Sequence, residues 1–212
     1  MSSTGELYDA ILTGNAKKAM EAAKAALEAN INPTDLVQKQ MIPAMDEVGR
    51  RFECNEYFVP ELLIAARAMK TALELITPHL AASGSQPAGR VVIGTVQGDL
   101  HDIGKNLVAS MLDGGGFEVF DLGVDVSPER FVEAARERDD TIVALSALLT
   151  TTMTMMKAVI EALEKAGLRG KTKVIIGGAP ITQAFADEIG ADGYSDNASA
   201  AVGLARKLVG VG

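Results

Sequence analysis

The chain is poor in cysteine and histidine and has no tryptophan. Its 212 residues include one cysteine, Cys54, and two histidines, His79 and His101. A single cysteine excludes an internal disulfide and is typical of a reducing compartment. A structural zinc site takes about four cysteine or histidine ligands, more than this chain can supply. The sequence therefore excludes a disulfide scaffold and a zinc centre built by the protein alone.

Basic residues and long apolar runs are also scarce. There are 20 basic against 28 acidic residues, a net charge of -8, and no basic patch. Such a chain repels phosphate backbones and anionic lipids. No apolar stretch approaches the ~20 residues of a bilayer span, and the polar residues 1–8 do not resemble a signal peptide. We expect a soluble, cytoplasmic protein that binds neither nucleic acid nor membranes.

The first eighty or so residues predict a helical region. Apolar residues recur three and four apart, and strand-like runs of valine and isoleucine are missing. We expect the last helix to begin near Pro60 and to end at Thr77-Pro78. The sequence predicts a helical bundle over residues 1–82, followed by a linker of residues 83–89. Two apolar stripes carry this prediction: Met41, Met45, Val48 and Phe52, then Leu62, Ala66, Met69, Leu73 and Ile76.

From residue 90 onward, short β-rich runs alternate with helical patterns. This alternation is typical of a parallel sheet covered by helices on both faces, and it predicts a Rossmann-like, flavodoxin-like α/β domain over residues 90–212. Ligands of such sheets bind at the carboxyl ends of the strands. The predicted strands are 91–96, 118–122, 141–145 and 173–176, with a weaker one near 193–194, and the predicted helices are 105–112, 128–138, 152–166, 183–189 and 198–208.

The loop after the first predicted strand carries distinctive chemistry. Residues 98–104 read Gly-Asp-Leu-His-Asp-Ile-Gly. A carboxylate two residues from His101 can accept its Nδ1 proton, which leaves Nε2 free to bind a metal. Gly104 would let a bulky group approach the start of the next helix. The alternative is an exposed histidine whose neighbour Asp99 or Asp102 caps that helix.

Two further loops at the predicted ligand edge carry hydroxyl or small residues. Ser146 and Thr150 follow the third strand, where hydroxyls can hydrogen-bond a ligand. Thr150 or Thr151 could instead cap the next helix. Gly177 and Gly178 follow the fourth strand, where a plain turn is the alternative.

The motif Asp99-x-His101-x-x-Gly104 resembles the signature of B12-binding domains. Such domains occur in methionine synthase, in coenzyme-B12 mutases and in the corrinoid proteins of methanol, methylamine, betaine and O-demethylase systems. The resemblance implies a cobalamin or other corrinoid cofactor bound base-off, with His101 as the lower axial ligand of cobalt. Asp99 would be the hydrogen-bond partner of His101. Agreement across residues 98–106 favours the methyltransferase branch.

The same resemblance extends to the other loops and to the helical region. It implies that residues 146–150 and 177–180 surround the displaced nucleotide tail of the cofactor. Residues 48–62 resemble the helical cap domain, which implies that Phe52 and Val59 cover the upper face of the corrin ring; plain core packing is the alternative. The implied catalytic pair is His101 and Asp99, and the implied cofactor-binding residues are Gly98, Asp99, His101, Asp102, Ile103, Gly104, Ser146, Leu148, Thr150, Gly177, Gly178, Ala179, Phe52 and Val59.

The function implied by the resemblance is that of a methyl carrier. Such a subunit accepts a methyl group on cobalt from a substrate:corrinoid methyltransferase. It donates the group to a second methyltransferase, whose acceptor is tetrahydrofolate or a thiol such as coenzyme M. A reductive activase is a further implied partner. The chain would then act within an enzyme system and not as a stand-alone catalyst.

Three other functions are compatible with parts of the sequence. A cobalamin-sensing regulatory module would need a DNA-binding segment, and the acidic charge argues against one. A small subunit of a mutase should lack the helical cap. A phosphoacceptor receiver domain needs an aspartate at the end of the third strand, where Ser146 stands.

Overall fold

The computed structural model describes residues 4–83, 86–139 and 141–211. The described residues form two compact units. One comprises those up to Pro87 together with Asp113–Gly116, and the other comprises Ala88–Leu112 and those from Phe117 onward. The predicted linker of residues 83–89 lies partly outside the described residues, because positions 84 and 85 are not described.

The first unit is helical, as predicted. Within the described residues none of the helices is long and apolar enough to cross a membrane. A π-helical segment, Val37–Met41, lies between the third and fourth helices. The α-helices are α1 (Thr4–Leu12), α2 (Ala16–Glu28), α3 (Pro33–Leu36), α4 (Ile42–Glu53) and α5 (Val59–Ser83).

The two predicted apolar stripes contribute to the core of this unit, together with buried residues of α1 and α2. Met41, Met45 and Val48 are buried, as are Leu62 and most of its stripe. Phe52, by contrast, is only partly buried. The helical prediction for residues 1–80 is thus confirmed in type, and the stripes form part of its core.

The predicted end of the last helix at Thr77-Pro78 is wrong. Helix α5 continues to Ser83 with Pro78 inside it. A proline removes one N–H donor from the helical ladder. In the same turn the Thr77 hydroxyl donates an additional hydrogen bond to the Leu73 carbonyl (2.8 Å). Pro78 lies close enough to the end of α5 for the helix to tolerate it.

The second unit is a five-stranded parallel sheet in the order β2-β1-β3-β4-β5. This order confirms the predicted flavodoxin-like fold. The strands are β1 (Arg90–Thr95), β2 (Glu118–Asp121), β3 (Thr141–Ser146), β4 (Thr172–Gly177) and β5 (Gly193–Tyr194). The helices are α6 (Ile103–Gly114), α7 (Pro128–Arg136), α8 (Thr154–Lys165), α9 (Gln183–Ile189) and α10 (Ala198–Val209).

The central strands are buried, whereas β2 is not. Strands β1 and β3 are buried almost throughout, as their apolar runs predict. The expectation that each strand is covered on both faces is wrong for β2, which is mostly exposed. It is an edge strand, and its terminal residues Glu118 and Asp121 are charged. Charged residues at an edge oppose pairing with another chain.

The register of the central strands fixes where their loops begin. Thr95, the last residue of β1, lies opposite Ser146, the last residue of β3. Ser146 in turn lies opposite Gly177, the last residue of β4. The loops after β1, β3 and β4 therefore start side by side at one edge of the sheet.

A close contact between β1 and α7 allows a test of the core. A Cβ added at Gly94 would lie 2.8 Å from Phe131 Cζ. We expect Gly94→Ala to lower the free energy of unfolding by ~1–3 kcal/mol, because the fully buried ring of Phe131 cannot move aside. Phe131→Leu removes the clashing ring atoms, so the double variant should lose less than the sum of the single losses. Urea denaturation of the cofactor-free protein measures all three variants.

A matched control is Gly203→Ala in α10, where an added Cβ meets no atom within 4 Å. It should leave stability unchanged or raise it by up to ~1 kcal/mol, because alanine favours a helix over glycine. Strictly additive losses in the Gly94 and Phe131 variants would contradict the contact.

Candidate functional site

His101 lies in the loop between β1 and α6, beside the buried carboxylate of Asp99. Asp99 Oδ1 is 2.7 Å from His101 Nδ1 and accepts a second hydrogen bond from the His101 backbone N–H (3.1 Å). This is the contact that the spacing of the two residues predicts. A carboxylate accepts only, so it fixes the proton on Nδ1. Nε2 then carries a free electron pair.

Nothing within the described residues pairs with His101 Nε2. The side chain is 51% exposed, whereas Asp99 is fully buried. The imidazole is therefore held from one side and accessible from the other. This is the arrangement of a histidine ligand that is oriented by a second residue.

The other carboxylate oxygen of Asp99 binds the loop after β3. Oδ2 accepts from the backbone N–H groups of Leu148 (2.8 Å) and Leu149 (3.2 Å) and from the Thr152 hydroxyl (2.8 Å). One residue thus joins the two loops whose strands lie side by side. The histidine is oriented by the same group that ties these loops together.

These contacts determine the charge of Asp99. Burial raises the pKa of its carboxyl, but the hydrogen bonds from Leu148, His101 and Thr152 outweigh burial and hold the pKa below its usual range. Asp99 is therefore ionised at neutral pH. A fixed negative charge beside Nδ1 strengthens the imidazole as an electron donor at Nε2.

The sequence did not identify Thr95 or Thr152 as part of this site. The Thr95 hydroxyl donates to the His101 carbonyl (2.7 Å) and fixes the backbone of the histidine. Thr152 belongs to the run Thr150-Thr151-Thr152, which is a signal for a polar loop. The sequence alone does not distinguish which of the three hydroxyls points inward to Asp99.

The helix-capping alternatives are wrong for Asp99, Thr150 and Thr151. The carboxylate of Asp99 binds the neighbouring loop. Asp102 stands directly before α6, where its backbone carbonyl accepts from the Asn106 N–H (2.7 Å) and its carboxylate from the Asn106 side chain (3.1 Å), so capping by this residue stays a prediction. Helix α8 begins at Thr154 after Met153, which makes no side-chain cap hydrogen bond. Thr150 and Thr151 are exposed and do not cap this helix.

Gly178 is required by the packing of the chain itself. Its φ is +136°, and an added Cβ would lie 1.9 Å from the Ala147 carbonyl oxygen. A Cβ at Gly177 would lie 3.3 Å from the Ser195 carbonyl oxygen. The double glycine therefore lets neighbouring loops approach one another, a reason that needs no ligand.

Gly104 differs, because nothing lies within 4 Å of the place where its Cβ would be. Packing within the described chain gives no reason for glycine there. An exposed glycine beside His101 leaves open space that a large group can occupy. This observation fits the prediction that a bulky ligand approaches the first turn of α6.

Exposed apolar side chains lie in the loop of His101 and in the loop that binds Asp99. They are Leu100 (72% exposed), Ile103 (81%), Leu148 (42%) and Leu149 (42%). A group of exposed apolar residues around a polar atom is typical of a binding surface. A flat apolar ligand could cover them.

The remaining predicted residues lie in the loops of the second unit and in the helical unit. The side chains of half-buried Ser146 and exposed Thr150 make no hydrogen bond within the described chain, and Ala179 is exposed. Gly98, which precedes Asp99, has a φ of +83°. Phe52 and Val59 belong to the helical unit, where Val59 is 40% exposed. Their contact with a cofactor stays a prediction.

The donor set fits a metal complex that brings its own ligands. No group of three or more histidine, cysteine, aspartate or glutamate residues that could hold a metal ion occurs in the described part of the chain. The site offers one oriented nitrogen, an apolar surface and open space at Gly104. A corrin ring around cobalt needs this combination, whereas a bare metal ion needs more ligands.

Comparison with known proteins agrees with this fit. A family model described as a B12 binding domain matches residues 89–203, and a second model of the same description matches residues 5–77. The dimethylamine corrinoid protein 3 of Methanosarcina acetivorans is 44% identical over 204 residues, which cover 96% of this chain and 95% of the relative.

Two solved structures are also similar. A cobalamin-binding protein from Desulfitobacterium hafniense has a TM-score of 0.80 at 32% identity, with 98% of this chain and 99% of that chain covered. A chain in the methanol:cobalamin methyltransferase complex from Methanosarcina barkeri has a TM-score of 0.86 at 30% identity, over 98% of this chain and 80% of that chain. The family predicted from residues 98–106 is confirmed. Similarity of this extent shows that the chain belongs to the family of B12-binding corrinoid proteins.

Proposed function

We propose that this chain is the methyl carrier of a corrinoid-dependent methyltransferase system. It accepts a methyl group on cobalt from a substrate:corrinoid methyltransferase and donates it to a second methyltransferase. The observation that carries the proposal is the His101 imidazole, with Nδ1 bound to a buried, ionised Asp99 and Nε2 unpaired on an apolar, exposed edge.

In this proposal His101 Nε2 is the lower axial ligand and replaces the cofactor's own base, so the cofactor is bound base-off. Bound cobalt supplies the centre that accepts and releases the methyl group. Asp99 keeps Nε2 unprotonated and correctly oriented while it binds the metal. If Nε2 leaves the metal and takes up a proton, the ionised Asp99 stabilises the resulting imidazolium.

The neighbouring residues divide into two groups by chemistry. Leu100, Ile103 and Leu148 offer apolar surface to the ring, and Gly104 leaves room beside His101. The hydroxyls of Ser146 and Thr150, which make no hydrogen bond within the described chain, suit the polar nucleotide tail. We assign the remaining expected contacts to Gly98, Asp102, Gly177, Gly178 and Ala179, which lie in the same loops.

The upper face of the ring needs protection from water and oxygen, and we assign this role to the helical unit. Val59 and its neighbour Phe58 are exposed by 40% and 59%, so they have apolar surface available. Phe52 is more buried and makes the weaker candidate. Exposed apolar residues at the start of α5 are otherwise unexplained by the core of this unit.

The partners follow from the relatives. One relative is a dimethylamine corrinoid protein, and another matched chain is part of a methanol:cobalamin methyltransferase complex. We infer a methylamine or methanol methyltransferase as donor partner, a tetrahydrofolate or coenzyme M methyltransferase as acceptor partner, and a reductive activase. We place the system in the cytoplasm. The regulatory alternative is not favoured, because relatives matched over nearly the whole chain are corrinoid proteins of methyltransferase systems.

The ligand assignment predicts a nitrogen signal from the protein. Histidine labelled with nitrogen-15 splits the electron paramagnetic resonance lines of bound cob(II)alamin into doublets, whereas the cofactor's own nitrogen-14 base gives triplets. We expect doublets for the labelled wild type and their loss in His101→Ala. The matched control is His79→Ala, the other histidine, which lies exposed in α5 and should keep the doublets. Triplets in the labelled wild type would contradict base-off binding.

The orienting role of Asp99 predicts a loss of affinity. An asparagine at position 99 cannot accept all five hydrogen bonds that the carboxylate accepts. We expect Asp99→Asn to weaken hydroxocobalamin binding by ~10–100-fold, the usual effect of losing the partner of a ligating histidine. Absorbance titration measures the affinity. Asp187→Asn is the control, because among the described residues that exposed carboxylate accepts only from the Gln183 side chain (2.8 Å). Equal affinities in both variants would refute the role.

The carrier role predicts a requirement for two proteins. The reduced, cofactor-loaded chain is mixed with dimethylamine, trimethylamine, methanol or a methoxylated aromatic and with the corresponding methyltransferase. We expect the absorbance of the reduced cofactor to disappear with one donor class, and only when both proteins are present. No reaction with any donor, while His101 ligation is intact, would leave the binding assignment standing and refute the carrier function.

A further inference from the structure

The loop between β2 and α7, residues 122–127, runs beside the loop that carries His101. The Thr95 N–H donates to the Gly123 carbonyl (3.0 Å), and the Val126 N–H donates to the Thr95 carbonyl (3.0 Å). Val96 and Val126 form an isolated parallel bridge. The two loops therefore leave the sheet as a pair, with Asp125 next to the bridge.

Asp125 makes two hydrogen bonds to the residues just before His101. Its carboxylate Oδ1 accepts from the Gly98 N–H (2.7 Å), and its own N–H donates to the Asp99 carbonyl (3.0 Å). These bonds hold both ends of the Gly98-Asp99 dipeptide. Asp99 is consequently fixed through its main chain by one loop and through its carboxylate by another.

The backbone at these positions is unusual. Gly98 has a φ of +83°, and a glycine without restraint moves over a wide range of conformations. Asp125 has a φ of +53°, a left-handed conformation that few residues other than glycine adopt, although aspartate and asparagine tolerate it better than most. Such a conformation persists where the surrounding contacts fix it.

The side chain of Asp125 has no structural task besides this contact. It is exposed, and among the described residues its carboxylate accepts from Gly98 alone. An exposed hydrogen bond contributes little to global stability, because water replaces it on unfolding. Its local effect is larger, since it restrains the flexible glycine that precedes the Asp99 and His101 pair.

We propose that Asp125 is a positioning residue for the cofactor ligand. By holding Gly98 and Asp99 it fixes the backbone from which Asp99 presents His101 Nε2 to cobalt. This inference rests on the proposed role of His101 as the lower ligand. It adds a third loop, the one after β2, to the two that Asp99 joins.

The experiment compares three variants of the full chain. Asp125→Gly keeps the left-handed backbone and its N–H and removes only the carboxylate. Asp125→Asn keeps an Oδ1 acceptor. Asn30→Gly is the matched control, because Asn30 is also left-handed (φ 57°) but lies in the helical unit. Each protein carries nitrogen-15 histidine and is loaded with cob(II)alamin for electron paramagnetic resonance.

We expect the nitrogen-15 doublet to fall to about half or less in Asp125→Gly and to stay intact in Asp125→Asn and Asn30→Gly. In the cofactor-free protein, hydrogen exchange at the Gly98 amide should speed up by about tenfold in Asp125→Gly, the effect of one lost hydrogen bond. Thermal melting should change little in all three, which separates positioning from general destabilisation.

Three results would overturn the inference, and they are distinguishable. A full doublet in both wild type and Asp125→Gly would refute the positioning role and leave the proposed function intact. Absence of the doublet in the wild type would refute His101 ligation, and the positioning role with it. A doublet lost equally in Asp125→Gly and Asn30→Gly would attribute the effect to general loosening and also refute the proposal.

Discussion

The site depends on one buried carboxylate. An isolated negative charge in a protein interior is strongly unfavourable, so Asp99 is stable there only because both of its oxygens accept hydrogen bonds. Those bonds come from two loops that follow neighbouring strands. His101 is therefore oriented only when the loop after β3 is in place, because the Asp99 carboxylate that fixes the imidazole depends on the hydrogen bonds from that loop. Correct folding of this edge of the sheet thus leaves the histidine oriented to bind a ligand.

The parallel sheet makes this closure possible through its register. Thr95, Ser146 and Gly177 end their strands side by side, so each of the three loops begins one strand spacing from the next. Gly178 then brings the loop after β4 against the Ala147 carbonyl, an approach that any side chain would block. Backbone N–H groups and the Thr152 hydroxyl of these loops donate to the buried Asp99. The apolar side chains and one imidazole nitrogen stay exposed.

Much of this was predictable from local sequence. Spacing of two residues between Asp99 and His101 predicts their hydrogen bond, and alternation of apolar runs with helical patterns predicts the parallel sheet. Other features depend on tertiary packing. The path of the loop decides that Thr152, and not Thr150 or Thr151, donates to Asp99. The hydrogen bond from Gly98 to Asp125 likewise depends on how the loops run. Exposure of β2 follows from its place at the edge, which composition alone does not give.

The chemistry of the site suits a large cofactor and not a small methyl donor, which explains why the sequence does not identify that donor. The residues around His101 have the chemistry to hold a large, flat metal complex: one nitrogen, apolar surface, and space at Gly104. Discrimination between a methylamine and methanol requires groups that contact the small donor itself. Relatives named for dimethylamine and for methanol align over nearly all of this chain, as expected if it binds the part common to both systems. In the proposed carrier role, selection of the donor then falls to the partner methyltransferase.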